Sequence, residues 1–310
     1  MQGVLARYGP GSAHLCFISS GTSEAPKLHA SRPRHVVCIG GLSDGLTHAS
    51  YVPPLATALS EAGWTLVQAQ LQSCYESWGI GSLDQDADDL QTLLEWLRTT
   101  QACTGVVLLG HSTGCQDIAR LLQRIPLGTP APWPLVATVL QAAVSDREYL
   151  CKFPELEPVA ERARQLVAAG REEEIVARLS GGQESKKGTP VTARRLLALY
   201  ERGGDDDYFS SDLSDDSLNV LLSPVGRWPC MVVIGDADEY ALGDAATIVA
   251  NARRLVCAIQ TGSVGKGRSD WRRSPVSELL VVKGAGHSLD GHESEFVAAM
   301  VRFLGACETS

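Results

Sequence analysis

Gly110-His111-Ser112-Thr113-Gly114, inside VVLLGHSTGCQDIARLL, sets a serine between two glycines, where an apolar run gives way to a helical pattern. A strand-to-helix turn needs small flanking residues and holds the serine hydroxyl at the strand tip, the arrangement of a nucleophile elbow. The helix N-terminus behind it favours negative charge on the reacting oxygen. The competing role for such a serine is a plain N-cap. A serine attacks only when a base takes its proton, so a histidine must reach Ser112. Beyond the motif the chain has His287 and His292. His287, in VVKGAGHSLD, follows an apolar run and can swing over a strand end, whereas His292 opens the final helix as a surface residue. The base in turn needs an acid to fix its tautomer. VVIGDADEY supplies Asp236, Asp238 and Glu239. Asp238, spaced G-x-x-D from the strand end, is the expected partner, with Asp236 and then Glu239 in reserve; the alternative is that all three cap the next helix.

An acyl-transfer site also needs donors aimed at a developing oxyanion. The Thr113 amide follows the nucleophile, and a second donor belongs in Gly40-Gly41-Leu42-Ser43-Asp44-Gly45, with Leu42 expected and Gly41 as the alternative. Gly41, Asp44, Tyr75, Asp206, Asp207 and Tyr208 are the candidate substrate contacts. The last three belong to GGDDDYFSSDLSDD, residues 203–216, which holds six aspartates. Consecutive aspartates do not match the alternating ligands of a calcium loop. A structural role would have them cap turns while Tyr208 and Phe209 pin the segment to the core. A sharper role would turn Asp206 or Asp207 toward the pocket to favour cationic substrates.

These residues require elements to position them. HVVCIGG (35–41), WTLVQAQL (64–71), GVVLLG (105–110), LVATVLQA (135–142), CMVVIG (230–235) and ELLVVKG (278–284) have the pattern of buried strands. Helices are expected at 52–62, 84–101 and 113–125. The second starts at Ser82, three residues before Gln85, and presents Leu90, Leu93, Leu94 and Leu97 on one face. This alternation predicts an α/β chain with a mostly parallel sheet covered by helices on both faces. It breaks at 146–229, where helices at Leu150–Ala169, Arg171–Leu179 and Val191–Tyr200 are expected without strands, as a helical cap. The expected organisation is a core from 1–145 and 230–310 with the cap at 146–229 between them. The segment 262–275 has the composition of a solvated loop.

With 310 residues and 44% hydrophobic composition, the chain is long enough for one large core or two modest ones. The net charge of −9 argues against a nucleic-acid surface and against attraction to anionic membranes. Nine dispersed cysteines without C-x-x-C spacing suggest reduced thiols and a cytoplasmic location. The start lacks the pattern of a signal peptide, and no apolar run is long enough for a membrane span. The last four residues, CETS, have the C-a-a-X form of a prenylation signal, with Glu308 and Thr309 as poor stand-ins for aliphatic residues.

The Ser, Asp, His order is that of the α/β-hydrolases. GGLSDGLTHASYVPPLATAL, SCYESWGIGSLDQDADDL, LLGHSTGCQD, LQAAVSDREYL, PVTARRLLALYERGGDDDYFSSDL, GDADEY and KGAGHS together resemble one branch of that superfamily, found in fungi, plants and protists. The branch includes the fungal fusarinine C esterase, a siderophore ester hydrolase, and DDDYFSSDL is its most specific string. The resemblance implies a Ser112, Asp238, His287 triad, in agreement with the reading above. Cys74, Glu76 and Arg194 depart from the family pattern where substrate walls are expected. The expected function is hydrolysis of a small-molecule carboxylic ester, a siderophore-like one included, with no metal and no organic cofactor. The alternatives are acyl transfer by the same triad and a non-catalytic binding protein on a hydrolase fold.

Overall fold

The computed structural model describes residues 1–20, 33–263 and 277–308. An N-terminal hairpin, β1 (Gly3–Arg7) and β2 (Leu15–Ser19), pairs antiparallel and was not legible in the apolar pattern. The expected strands follow as β3 (Arg34–Ile39), β4 (Thr65–Gln70), β5 (Gly105–His111) and β6 (Leu135–Gln141). Among them lie α1 (Val52–Glu61), α2 (Leu83–Thr100) and α3 (Thr113–Gln123). The Ser82 hydroxyl accepts the Gln85 amide at 3.2 Å and starts α2 where its sequence predicted. The four leucines of the expected α2 face are all buried; each contributes about 2 kcal/mol against exposure.

The connection from β6 contains α4 (Asp146–Leu150), α5 (Glu157–Ala168), β7 (Ile175–Ser180), β8 (Gln183–Glu184), β9 (Thr189–Thr192), α6 (Ala193–Tyr200) and α7 (Asp215–Leu222). The expectation of an all-helical segment is therefore corrected. β7 replaces most of the helix expected over Arg171–Leu179, and the three strands form a small antiparallel sheet ordered β8-β7-β9. A register shift between Ile175 and Ala177 places Val176 and Ala177 both inside, which breaks the strand alternation and leaves a spacing that mimics a helix. Pairing with β9, a tertiary contact, overrides the local pattern.

The chain returns to the main sheet with β10 (Cys230–Gly235), then α8 (Ala245–Ser263), β11 (Ser277–Val282) and α9 (Glu293–Glu308). The eight strands are ordered β1-β2-β4-β3-β5-β6-β10-β11, with every pairing from β4 to β11 parallel. Alternate residues of β3 to β5 feed opposite faces. Val37, Ile39 and Leu108 meet α2 and α3, whereas Val36, Cys38, Val107 and Leu109 meet α1 and α9. Residues 264–276, most of the expected solvated loop, and the last two residues of the CETS sequence lie outside the described residues; 262–263 belong to α8. No helix among the described residues is long and apolar enough to cross a membrane.

Candidate active site

β5 enters Ser112 and α3 leaves it, as the motif requires. The two glycines have a steric cause. A Cβ on Gly110 would come within 2.5 Å of the Gly114 carbonyl oxygen, and one on Gly114 within 2.5 Å of the Ile39 carbonyl oxygen. Ser112 takes φ 53° and ψ −123°, a conformation costly for a residue with a side chain, by about 1–3 kcal/mol. Its amide donates to the Gln141 carbonyl at 3.0 Å, which ties the turn to β6. Its hydroxyl caps no helix amide, so the plain N-cap role is not the one it plays.

His287 follows β11 and Asp238 follows β10, adjacent strands whose ends bring the two together. His287 Nδ1 lies 2.9 and 3.0 Å from the Asp238 carboxylate oxygens, and both residues are buried. The neighbouring acids are committed elsewhere. Asp236 accepts the Gly284 amide at 2.6 Å, and Glu239 accepts the His287 backbone amide at 3.0 Å. Gln141, fully buried, donates its side-chain amide to the His287 carbonyl at 2.8 Å and so fixes the loop from below. His292 is half-buried at the entry to α9 and lies outside the cavity that His287 lines.

On the other side of Ser112, a Cβ on Gly41 would come within 2.6 Å of the Ser112 Cβ, so this loop touches the Ser112 side chain. The Gly41 amide donates to Asp44 Oδ2 at 2.7 Å. Among the described residues no acceptor meets the Leu42 or the Thr113 amide. His111, next to Ser112, hydrogen-bonds through Nδ1 to Gln141 Oε1. Burial, then the neighbouring His287 and His48, lower its pKa to about 3, so its imidazole is neutral near pH 7. Burial lowers His48, stacked on His111 at 5.1 Å, to about 4.

Ser112 and His287 open into one cavity of about 480 Å³, lined also by Leu42, Asp44, Trp78, Asp146, Tyr149 and Tyr240. Of the expected substrate contacts, Gly41 and Asp44 are at the site. Tyr75 is half exposed and turns its ring to Gly45 instead; its neighbours Glu76 and Trp78 line the cavity. Asp206, Asp207 and Tyr208 do not line it, which corrects the pocket-facing reading of the acidic stretch. Asp206 pairs with Arg195 Nη1 at 2.8 and 2.9 Å, and both are buried. Asp207 pairs with Arg147 Nε at 3.1 Å and caps the Gly203 amide at 2.9 Å. Tyr208 is buried in the main core and donates to Gln123 at 2.8 Å. Arg194 points away too, pairing with Glu172 and Glu173 at 3.2 and 2.5 Å. Sequence reasoning passed over Gln141, Asp146, Tyr149 and Tyr240. The signal available for them was position, since Gln141 ends β6 and the other three follow the C-terminal ends of sheet strands, where α/β folds assemble their sites.

Residues 5–304 match the family model described as "Protein of unknown function (DUF1749)". Fusarinine C esterase sidJ of Aspergillus fumigatus is 30% identical over 275 residues, covering 74% of this chain and 78% of its own. UPF0613 protein PB24D3.06c of Schizosaccharomyces pombe is 37% identical over 217 residues, covering 65% and 67%. Among solved structures, the siderophore hydrolase EstB from Aspergillus fumigatus superposes with a TM-score of 0.77 at 25% identity, over 100% of this chain and 98% of its own. With the strand order and parallel pairing described above, these matches establish that the chain belongs to the DUF1749 family and has the α/β-hydrolase fold.

Proposed function

We propose that this chain hydrolyses a carboxylic ester through an acyl-enzyme on Ser112. The observation that carries the reading is the hydrogen bond from His287 to buried Asp238 at 2.9 Å, with His287 and the uncapped Ser112 on one cavity. Ester hydrolysis is also supported by the relatives, one a fusarinine C esterase and one a siderophore hydrolase; a siderophore-like ester is the finer substrate reading. In this mechanism Asp238 holds the proton on His287 Nδ1, leaving Nε2 to accept the Ser112 proton as Oγ attacks the carbonyl carbon. The same proton then goes to the departing alkoxide. Water, deprotonated by His287, attacks the acyl-enzyme; the acyl–Oγ bond breaks, the proton passes from His287 to Ser112 Oγ and the acid is released. The free Leu42 and Thr113 amides suit the oxyanion, and the Gly41 amide, held by Asp44, shapes the loop instead. One such donor is worth about 10²–10³ in rate. Segment 146–229 acts as a cap between core parts 1–145 and 230–310, and its α4 and β7–β9 hairpin supply walls of the cavity.

A fluorophosphonate probe should label the native protein at Ser112, and Ser112→Ala should abolish labelling. The same variant should lose at least about 10⁴-fold in kcat on any ester turned over from a panel that includes ferric and metal-free siderophores. Failure of the folded native protein to label would end the reading.

A further inference from the structure

The walls of the cavity carry four carboxylates, Asp44, Glu76, Asp146 and Glu239, against one lysine, Lys187, which is exposed on the hairpin. Two of the four are committed to backbone amides, Asp44 to Gly41 and Glu239 to His287. Asp146 is different. Its Oδ2 accepts the Gln116 side-chain amide at 2.6 Å, and Gln116 is fully buried, so the carboxylate is held in one orientation. Among the described residues no donor reaches its Oδ1.

An independent feature of the same wall points to the same kind of ligand. Tyr240 lies 4.6 Å from the His287 ring and Tyr149 lies 4.7 Å from Tyr240, so an aromatic surface runs from the base toward α4, whose first residue is Asp146. One face of Tyr149 already takes a cation, with Lys152 Nζ 5.3 Å from the ring centre. Aromatic faces beside an oriented, incompletely paired carboxylate are the chemistry that recognises an ammonium group.

We infer that the cavity selects substrates carrying an ammonium group, which pairs with Asp146 Oδ1 against the Tyr149 and Tyr240 rings. The inference deepens the hydrolase reading and rests on it for the reaction, but the binding preference exists without turnover. Burial holds the Asp146 carboxyl well up, at about 6, so at pH 8 it is ionised and able to pair with a cation.

The test measures binding of n-hexylammonium and of 1-hexanol, a neutral probe of similar length, by titration calorimetry at pH 8. The native protein and Ser112→Ala should both bind the ammonium at least tenfold tighter than the alcohol, and Asp146→Asn should bring the two affinities within threefold. Asp146→Ser, which keeps the turn but not the carboxylate, serves if the Asn variant does not fold. Equal affinities in the native protein, or a preference that survives loss of the Asp146 carboxylate, would overturn the inference. On matched esters with a free or an acetylated amine, the native kcat/KM ratio should favour the free amine tenfold and fall to near one in Asp146→Asn. An active enzyme with a native ratio near one would also sink it. A protein that prefers the ammonium but neither labels at Ser112 nor turns over any ester would instead sink the hydrolase reading and leave the cation site standing.

Discussion

Asp236, Asp238 and Glu239 sit within one short segment, and their types alone do not say which one serves His287. Geometry separates them: only Asp238 reaches Nδ1, while Asp236 and Glu239 hold the backbone of the loop that carries His287. Asp238→Asn should therefore cut kcat by about 10³–10⁴, because the imidazole loses its oriented tautomer. Asp236→Asn keeps an amide oxygen for the Gly284 N–H and loses only the charge on a partly exposed acceptor, about 1 kcal/mol, and should stay within about tenfold of the native rate. Steady-state kinetics on one ester decides it, and equal losses from both changes would remove Asp238 from its role. The acidic stretch shows the limit of residue type as evidence. Its charges invited a pocket role, but Asp206 and Asp207 are neutralised by Arg195 and Arg147, partners far enough away in sequence that no local pattern joins them.

At the level of elements, the segment between β6 and β10 is tied to the rest of the fold by a buried polar contact as well as by packing. Arg195, on α6, binds Asp206 and also donates from Nε to the Trp78 carbonyl at 3.0 Å, in the loop between β4 and α2 that walls the cavity. Removing one partner of a buried pair leaves an uncompensated charge, so Arg195→Ala should cost about 3–5 kcal/mol. Urea unfolding measures this, and a loss under about 1 kcal/mol would mean that the pair does not hold α6 in place. Apart from the edge hairpin β1–β2, the strands of the main sheet and helices α1 to α3 were legible because a short apolar run and a helical period are local signals. β7 was not, because its bulge disguised the alternation and its partner β9 lies beyond a hairpin.

For the whole molecule, buried titrating groups predict how stability varies with pH. Burial lowers His35 and His48 to about 4 and His111 to about 3, so their contribution is complete above about pH 6.5 and is lost as pH falls toward 4. Burial acts in the opposite sense on carboxylates. It raises Asp86 to about 7 and Asp117 well above its usual range, so folding favours their protonated forms and loses stability as pH rises through those values. Above pH 6.5 the histidine contribution is present in full, and the carboxylates, joined toward pH 8.5 by the Cys16, Cys38 and Cys230 thiols that burial pushes up to about 12, all lower stability as pH rises. The urea midpoint should fall between pH 6.5 and 8.5, and Asp117→Asn should flatten the decline; a midpoint that rises over that interval would contradict this account. The sequence by itself determined the six core strands, helices α1 to α3, the strand-to-helix turn at Ser112 and the chain order of Ser112, its candidate acids and His287, because apolar runs, helical periods and a turn's steric demand for glycine are local properties. Only the tertiary structure decided which carboxylate meets His287, that the Gly41 amide is held by Asp44 while the Leu42 amide is left free, that Asp146 lines the cavity and that Asp206 does not. Each of these depends on which distant side chain arrives beside a given group in the folded chain, and that is set by the crossing of elements rather than by spacing along any one of them.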